Sequence, residues 1–201
     1  MKLHQLLARL VTAGVLTATC LATSAQTTLR FGHANNPGEI AHDLYQEFAD
    51  NVTKKSGGQL TIRVFPSEQL GKEVDLLQQL KSGALDLSTP SMPTLNSMVP
   101  AFEIPSAPFL WRDWKEAETI IRGPAMEPVW NELRDKHNIV PLSKIWYWGW
   151  RNFTFTNREV RKPEEMSGLK VRVPESPIWV EMVRGFGAAP TPIPFGEVYT
   201  A

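Results

Sequence analysis

Two arginines draw attention because of their neighbours. In "SGLKVRVPESP" Leu169, Val171 and Val173 alternate with Lys170 and Arg172 until Pro174 ends the run. That is a strand with one buried face, stopped by a residue that cannot extend a ladder. Ser176 and Pro177 then read as the cap and first residue of a helix. Arg172 thus stands at the carboxyl end of a strand, where open α/β sheets hold their ligands. In "WYWGWRNF" alternation places Trp146, Trp148 and Trp150 on one face and Tyr147, Gly149 and Arg151 on the other. A glycine beside an arginine leaves room for a ligand to approach. A guanidinium is a planar fork matching a carboxylate in two parallel hydrogen bonds, so the indicated chemistry is the clamping of an organic acid. The alternative is that each arginine pairs with a structural acid such as Glu159 or Glu175. The difference matters: an exposed ion pair contributes roughly 0–1 kcal/mol, a desolvated hydrogen bond to a charged group about 1.5–3 kcal/mol.

Other polar residues read less sharply. His33, Asn35 and Asn36 in "GHANNPGE" either face a ligand or form a turn that caps a helix. Phe195, between Pro194 and Gly196, either stacks on a ligand or packs a helix start. Glu68, Glu73 and Asp75 read as the solvated face of a helix. There is no G-x-S-x-G and no glycine-rich phosphate loop. The one cysteine is Cys20, and the four histidines lack metal-ligand spacing. Neither a metal, a cofactor nor a covalent nucleophile is expected.

The elements that must position these residues follow from periodicity. "TTLRFGH", "QLTIRVF" and "ALDLSTP" read as strands, with Leu29 and Phe31, then Leu60, Ile62 and Val64, facing inward. Between them lie helices with Ile40, Leu44, Phe48 and Val52, and with Val74, Leu77 and Leu80, on their apolar sides. Strand–helix–strand–helix–strand with short connections predicts a parallel, doubly wound α/β sheet. Asp113 is placed to cap a helix reaching Ile121, with Glu116 at the capping-box position. A helix over 127–136 leads to expected strands at "NIVPLSKIW" and "WYWGWRNFTFTN". Residues 1–25 form a three-part secretory signal with Lys2 and Arg9, an apolar run and a small-residue cleavage site after Ala25; Cys20 offers the rival reading of a lipoprotein signal. Its removal leaves 19 basic and 21 acidic side chains, a net charge of −2. Such a balance excludes a dominant nucleic-acid partner. "GEVYTA" ends in a helical pattern without a cap, as the N-terminal part of a longer protein would.

Three stretches carry a family likeness: "PSEQLGKEVDLLQQLKSGALDLS", "WGWRNFTFTNREVRKPEEMSGLKVRVPES" and "GAAPTPIPFGEVYTA". Together they closely resemble the solute-binding proteins of tripartite ATP-independent periplasmic (TRAP) transporters. The resemblance runs from about Leu29 to the last residue. It implies a two-lobed α/β receptor that closes on its ligand, with lobe I at 26–147 and the start of lobe II at 148–201. The arginine of the "GLKVRVP" motif, Arg172, would hold the ligand carboxylate in a bidentate pair. Arg151 would assist, Phe195 would line the pocket, and His33, Asn35, Glu73 and Ser91 would approach from the other lobe. A further ligand-binding asparagine is expected beyond residue 201. The implied function is a periplasmic receptor that delivers a small organic carboxylate to a TRAP membrane permease. An exported enzyme acting on organic acids, or a sensor subunit, would share the fold.

Overall fold

The computed structural model describes residues 26–147, 149–156 and 158–200. The expected signal segment, with Cys20, and Trp148 lie outside the described residues. The chain opens with β1 (Thr27–Gly32), α1 (Ile40–Lys55), β2 (Leu60–Phe65), α2 (Glu73–Ser82) and β3 (Leu87–Ser88). The strands form one sheet in the order β2-β1-β3. Both pairings are parallel, with Phe31 opposite Val64 on one side and Leu87 on the other. The strand–helix alternation of the sequence is thus realised as a parallel α/β layer.

The face of α1 differs from the expected one. Tyr45 and Ala49 are its buried residues, whereas Ile40 is 80% exposed. Tyr45 meets the ring of Phe31 at 5.1 Å and that of Trp146 at 5.5 Å. Seating this aromatic on β1 turns the line of Ile40, Leu44 and Phe48 outward.

Beyond β3 come α3 (Met92–Leu95), a 3-10 segment (Pro100–Ser106), α4 (Trp114–Arg122) and α5 (Glu127–His137). Asp113 caps α4 by accepting from the Glu116 backbone N–H at 2.8 Å. The Glu116 carboxylate turns away from the expected capping box and binds the Arg112 backbone and guanidinium. These helices pack α2 into the larger core, built on Leu77, Val99, Phe102, Ile121, Trp130 and Leu133. Phe102 and Trp130 meet edge to face at 4.7 Å, and the Trp130 indole donates to the Ile121 carbonyl at 3.0 Å.

A second layer is formed by β4 (Lys170–Val173), α6 (Pro177–Gly185) and β5 (Ala189–Pro192). β4 and β5 are parallel, with Arg172 opposite Thr191. Their own smaller core is Met166, Val173, Val183 and Ala188. Two expected strands are not formed among the described residues. "NIVPLSKIW" begins with Asn138, which ends α5 in the left-handed conformation at φ 57°, and Pro141 lacks a ladder donor. In "WYWGWRNF", Gly149 turns to φ 89°, which breaks the alternation. Neither stretch finds a ladder partner among the described strands.

Candidate functional site

Arg172 is half-buried on β4, and its guanidinium is held by backbone. Nε and Nη2 donate to the carbonyl of Ile193, just after β5, at 2.9 and 2.6 Å. Nη1 carries no hydrogen bond among the described residues. The guanidinium of Arg151 stands over the ring of Trp179, its Cζ 5.0 Å from the centroid, in a cation–π contact. Among the described residues neither arginine forms an ion pair. Glu159, one suspected structural partner, is paired with Arg161 at 2.8 Å. Glu175, the other, acts on Arg172 only through its field.

The charge of Glu73 acts on both arginines. Burial lowers the pKa of Arg151, and Glu73 opposes the shift. Burial first, then the charge of Arg151, lowers that of Arg172, against Glu73 and Glu175. Both groups stay charged at any physiological pH, so two like charges act on one another, Arg172 half-buried and Arg151 exposed beside Trp179.

Glu73 is the first residue of α2, where the helix dipole favours a carboxylate. Its Oε2 accepts from the backbone N–H of Ser91 at 3.1 Å, the Ser91 hydroxyl at 2.8 Å and the Thr94 hydroxyl at 2.5 Å. Three donors on one oxygen fix the carboxylate. Oε1 is left without a hydrogen bond among the described residues.

His33 and Asn35 sit one layer back. His33 is 1% exposed, packed against Tyr45 at 4.8 Å and facing His42 across 3.3 Å between ring nitrogens. Its Nδ1 accepts from the Asn35 backbone. Burial, followed by the neighbouring His42, pulls its pKa to about 4, so the ring is neutral. The Asn35 amide donates to Glu39 at 2.7 Å. The backbone carbonyls of the same two residues accept from Glu68 and Ser67, which shapes the turn before α2. Ser67 and Glu68 lie there in the left-handed region at φ 53° and 55°.

That turn reaches the second layer. Glu68 accepts from the Gly196 backbone N–H at 3.2 Å, and Lys72 pairs with Glu197 at 2.5 Å. A side chain at Gly196 would overlap the Glu68 carboxylate. Phe195, 43% exposed, adjoins this contact. The Glu68 carboxyl is pushed up by burial, with the Gly196 hydrogen bond opposing and Glu73 reinforcing. The sequence reading of Glu68 as a solvated helix residue therefore does not hold. It lies in a strained turn against the opposite layer.

Of the expected residues, Arg151, Arg172 and Glu73 act on one another through their charges, Ser91 is hydrogen-bonded to Glu73, and His33 and Asn35 lie in the loop after β1 that bonds the Ser67–Glu68 turn. Sequence reasoning missed Trp179, Thr94 and the Glu68–Gly196 contact. Thr94 had a signal, three residues after Ser91 at a helix start. Trp179 had only its place near the start of the helix after β4. Among the described residues no group of three or more His, Cys, Asp or Glu is placed to hold a metal ion.

The family model for DctP, the bacterial extracellular solute-binding protein family 7, matches residues 31–201. The chain belongs to this family. Among DctP-type proteins it is 31% identical over 192 residues to the sialic acid-binding periplasmic protein SiaP of Vibrio cholerae, covering 95% of this chain and 59% of that one. It is 29% identical over 202 residues to the 2,3-diketo-L-gulonate-binding periplasmic protein YiaO of Escherichia coli, covering 100% and 60%. A solved TRAP periplasmic solute-binding protein of Xanthobacter autotrophicus with bound β-D-galacturonate superposes with a TM-score of 0.76 at 35% identity, over 86% of this chain and 57% of that one. The chain spans about three fifths of the length of these DctP-type relatives.

Proposed function

We propose that the protein is an extracytoplasmic, periplasmic receptor, exported by its N-terminal signal, that binds a hydroxylated organic acid and delivers it to TRAP membrane permease subunits. Two lobes, one built on 26–147 and the other beginning with 148–201, close on the ligand. The observation that carries the reading is the pair of guanidiniums, Arg151 and Arg172, without a carboxylate partner among the described residues and facing the field of Glu73. The arginines take the ligand carboxylate, Arg172 with its Nη1 edge. Glu73 is acceptor-only when ionised. It accepts from ligand hydroxyls and repels a second carboxylate, which favours a sugar acid over a dicarboxylate. SiaP, YiaO and the galacturonate-bound relative, each named for or bound to a sugar acid, support that class. Phe195 covers the ligand from the 3-10 segment after β5, while Ser91, His33 and Asn35 hold the opposite wall.

The test is a thermal-shift screen of the full-length mature protein with D-galacturonate, sialic acid, 2,3-diketo-L-gulonate and succinate. A ligand at a hundredfold excess over its Kd stabilises by about 2.7 kcal/mol. A shift with one or more sugar acids and none with succinate supports the reading. A shift with succinate alone, or with none of the four, overturns it.

A further inference from the structure

Glu103 lies in the 3-10 segment before α4 and has no part in the ligand contacts proposed above. Its segment is anchored by the buried Phe102 just before it and the buried Pro105 two residues on, with Ile104 between them exposed. Oε1 accepts two hydrogen bonds from the start of α6: the Ser176 hydroxyl at 2.9 Å and the Ile178 backbone N–H at 2.7 Å. Ser176 holds the N-cap position, yet its hydroxyl makes no capping bond to its own helix. An unpaired N–H of the first turn is instead met by a carboxylate 75 residues earlier in the chain. Negative charge at that end also suits the helix dipole. The second oxygen, Oε2, is buried and makes no hydrogen bond among the described residues, so no rival partner there draws the carboxylate elsewhere.

α6 matters because of what adjoins it. It comes after β4, which carries Arg172, through only three residues. Trp179 directly succeeds Ile178, and its ring carries the Arg151 guanidinium at 5.0 Å. The contacts therefore run in series from Glu103 to Ile178, to Trp179 and to Arg151.

We infer that Glu103 is a positioning residue for the arginine pair: it pins the start of α6 and thereby fixes the aromatic platform beneath Arg151. The inference rests on the ligand-binding reading of Arg151, and its test has one arm that needs no ligand.

Both arms use the full-length mature protein. In the first, titration calorimetry with D-galacturonate compares Glu103→Ala and Glu103→Gln, each in the native and the Arg151→Ala background. Glu103→Ala loosens the platform and weakens the cation–π contact that holds Arg151, which lowers affinity about tenfold. Glutamine keeps an acceptor oxygen and restores most of that loss. In the Arg151→Ala background, Glu103→Ala changes affinity less than twofold. An equal loss in both backgrounds overturns the inference, because Glu103 would then act without Arg151. The second arm isolates the ligand-free emission of Trp179 as the difference between protein with and without Trp179→Phe. Glu103→Ala shifts that emission and Glu103→Gln does not; an emission unmoved by Glu103→Ala overturns the inference. If galacturonate fails to bind the native protein, the choice of sugar acid is at fault, and the emission arm still decides the role of Glu103.

Discussion

Replacing Arg172 by methionine is the most direct perturbation of the proposed site. Methionine keeps much of the side-chain volume on β4 and removes every donor. Two losses can be separated. The guanidinium's hydrogen bonds to the Ile193 carbonyl, at 2.9 and 2.6 Å, disappear from the protein itself. At about 0.5–1.5 kcal/mol net for each, the two are worth about 1–3 kcal/mol, and for a chain of this size that lowers Tm by roughly 2–12 °C. The charge-assisted contact with the ligand carboxylate is worth about 1.5–3 kcal/mol, or an affinity loss of about 10- to 150-fold. Titration calorimetry on the full-length protein with the best ligand of the screen measures the second. A melt without ligand measures the first. Arg172→Lys is the control: it keeps the charge without the planar fork, and its affinity should fall between the two. The expected pattern is a large loss of affinity beside a small loss of stability. Affinity within threefold of native for Arg172→Met would refute the clamp. Wholesale unfolding would show that the Ile193 contact, and not the ligand, is the reason for the arginine.

Three further outcomes can be derived from the geometry. His33, with its pKa pulled from 6.5 to about 4 by burial and by His42, binds a proton more readily unfolded than folded. Its contribution is therefore complete above about pH 6.5 and is lost as pH falls towards 4, by roughly 3 kcal/mol in all; urea melts across that window should lose this slope in His33→Gln, and an unchanged slope would contradict the assignment. Gly196→Ala drives a methyl into the Glu68 carboxylate. Stopped-flow dissociation of the ligand should quicken by about 2- to 12-fold, and Glu68→Ala should abolish that effect. Phe102→Ala in the larger core, where Phe102 is fully buried against Trp130, should cost about 3–5 kcal/mol in chemical denaturation; a cost below 1 kcal/mol would mean that the core collapses around the gap.

Legibility in the sequence tracks what is local. The first sheet could be read because Leu29 and Phe31, or Leu60 and Ile62, alternate over runs that find parallel partners nearby. The stretch at 138–146 alternates less regularly, and a ladder also needs a neighbour, which periodicity cannot report. Arg172 was legible because its place at a strand end is a local property. The turn at Ser67–Glu68 was not, since two non-glycine residues at positive φ leave no compositional mark. The contacts of Glu68 with Gly196 and of Glu103 with Ile178 span 128 and 75 residues. Only folding brings such pairs together.

The grip of Arg172 on a main-chain carbonyl separates two design problems. A peptide oxygen at residue 193 survives any change of side chain there, so the angle at which the guanidinium is presented does not depend on what neighbouring positions become. Glu73, by contrast, is a side chain held chiefly by the hydroxyls of Ser91 and Thr94, with the Ser91 backbone N–H as its one main-chain donor. On the proposed reading, changes in the side chains around Glu73 alter which solute is preferred, while the main-chain grip that aims Arg172 stays as it is.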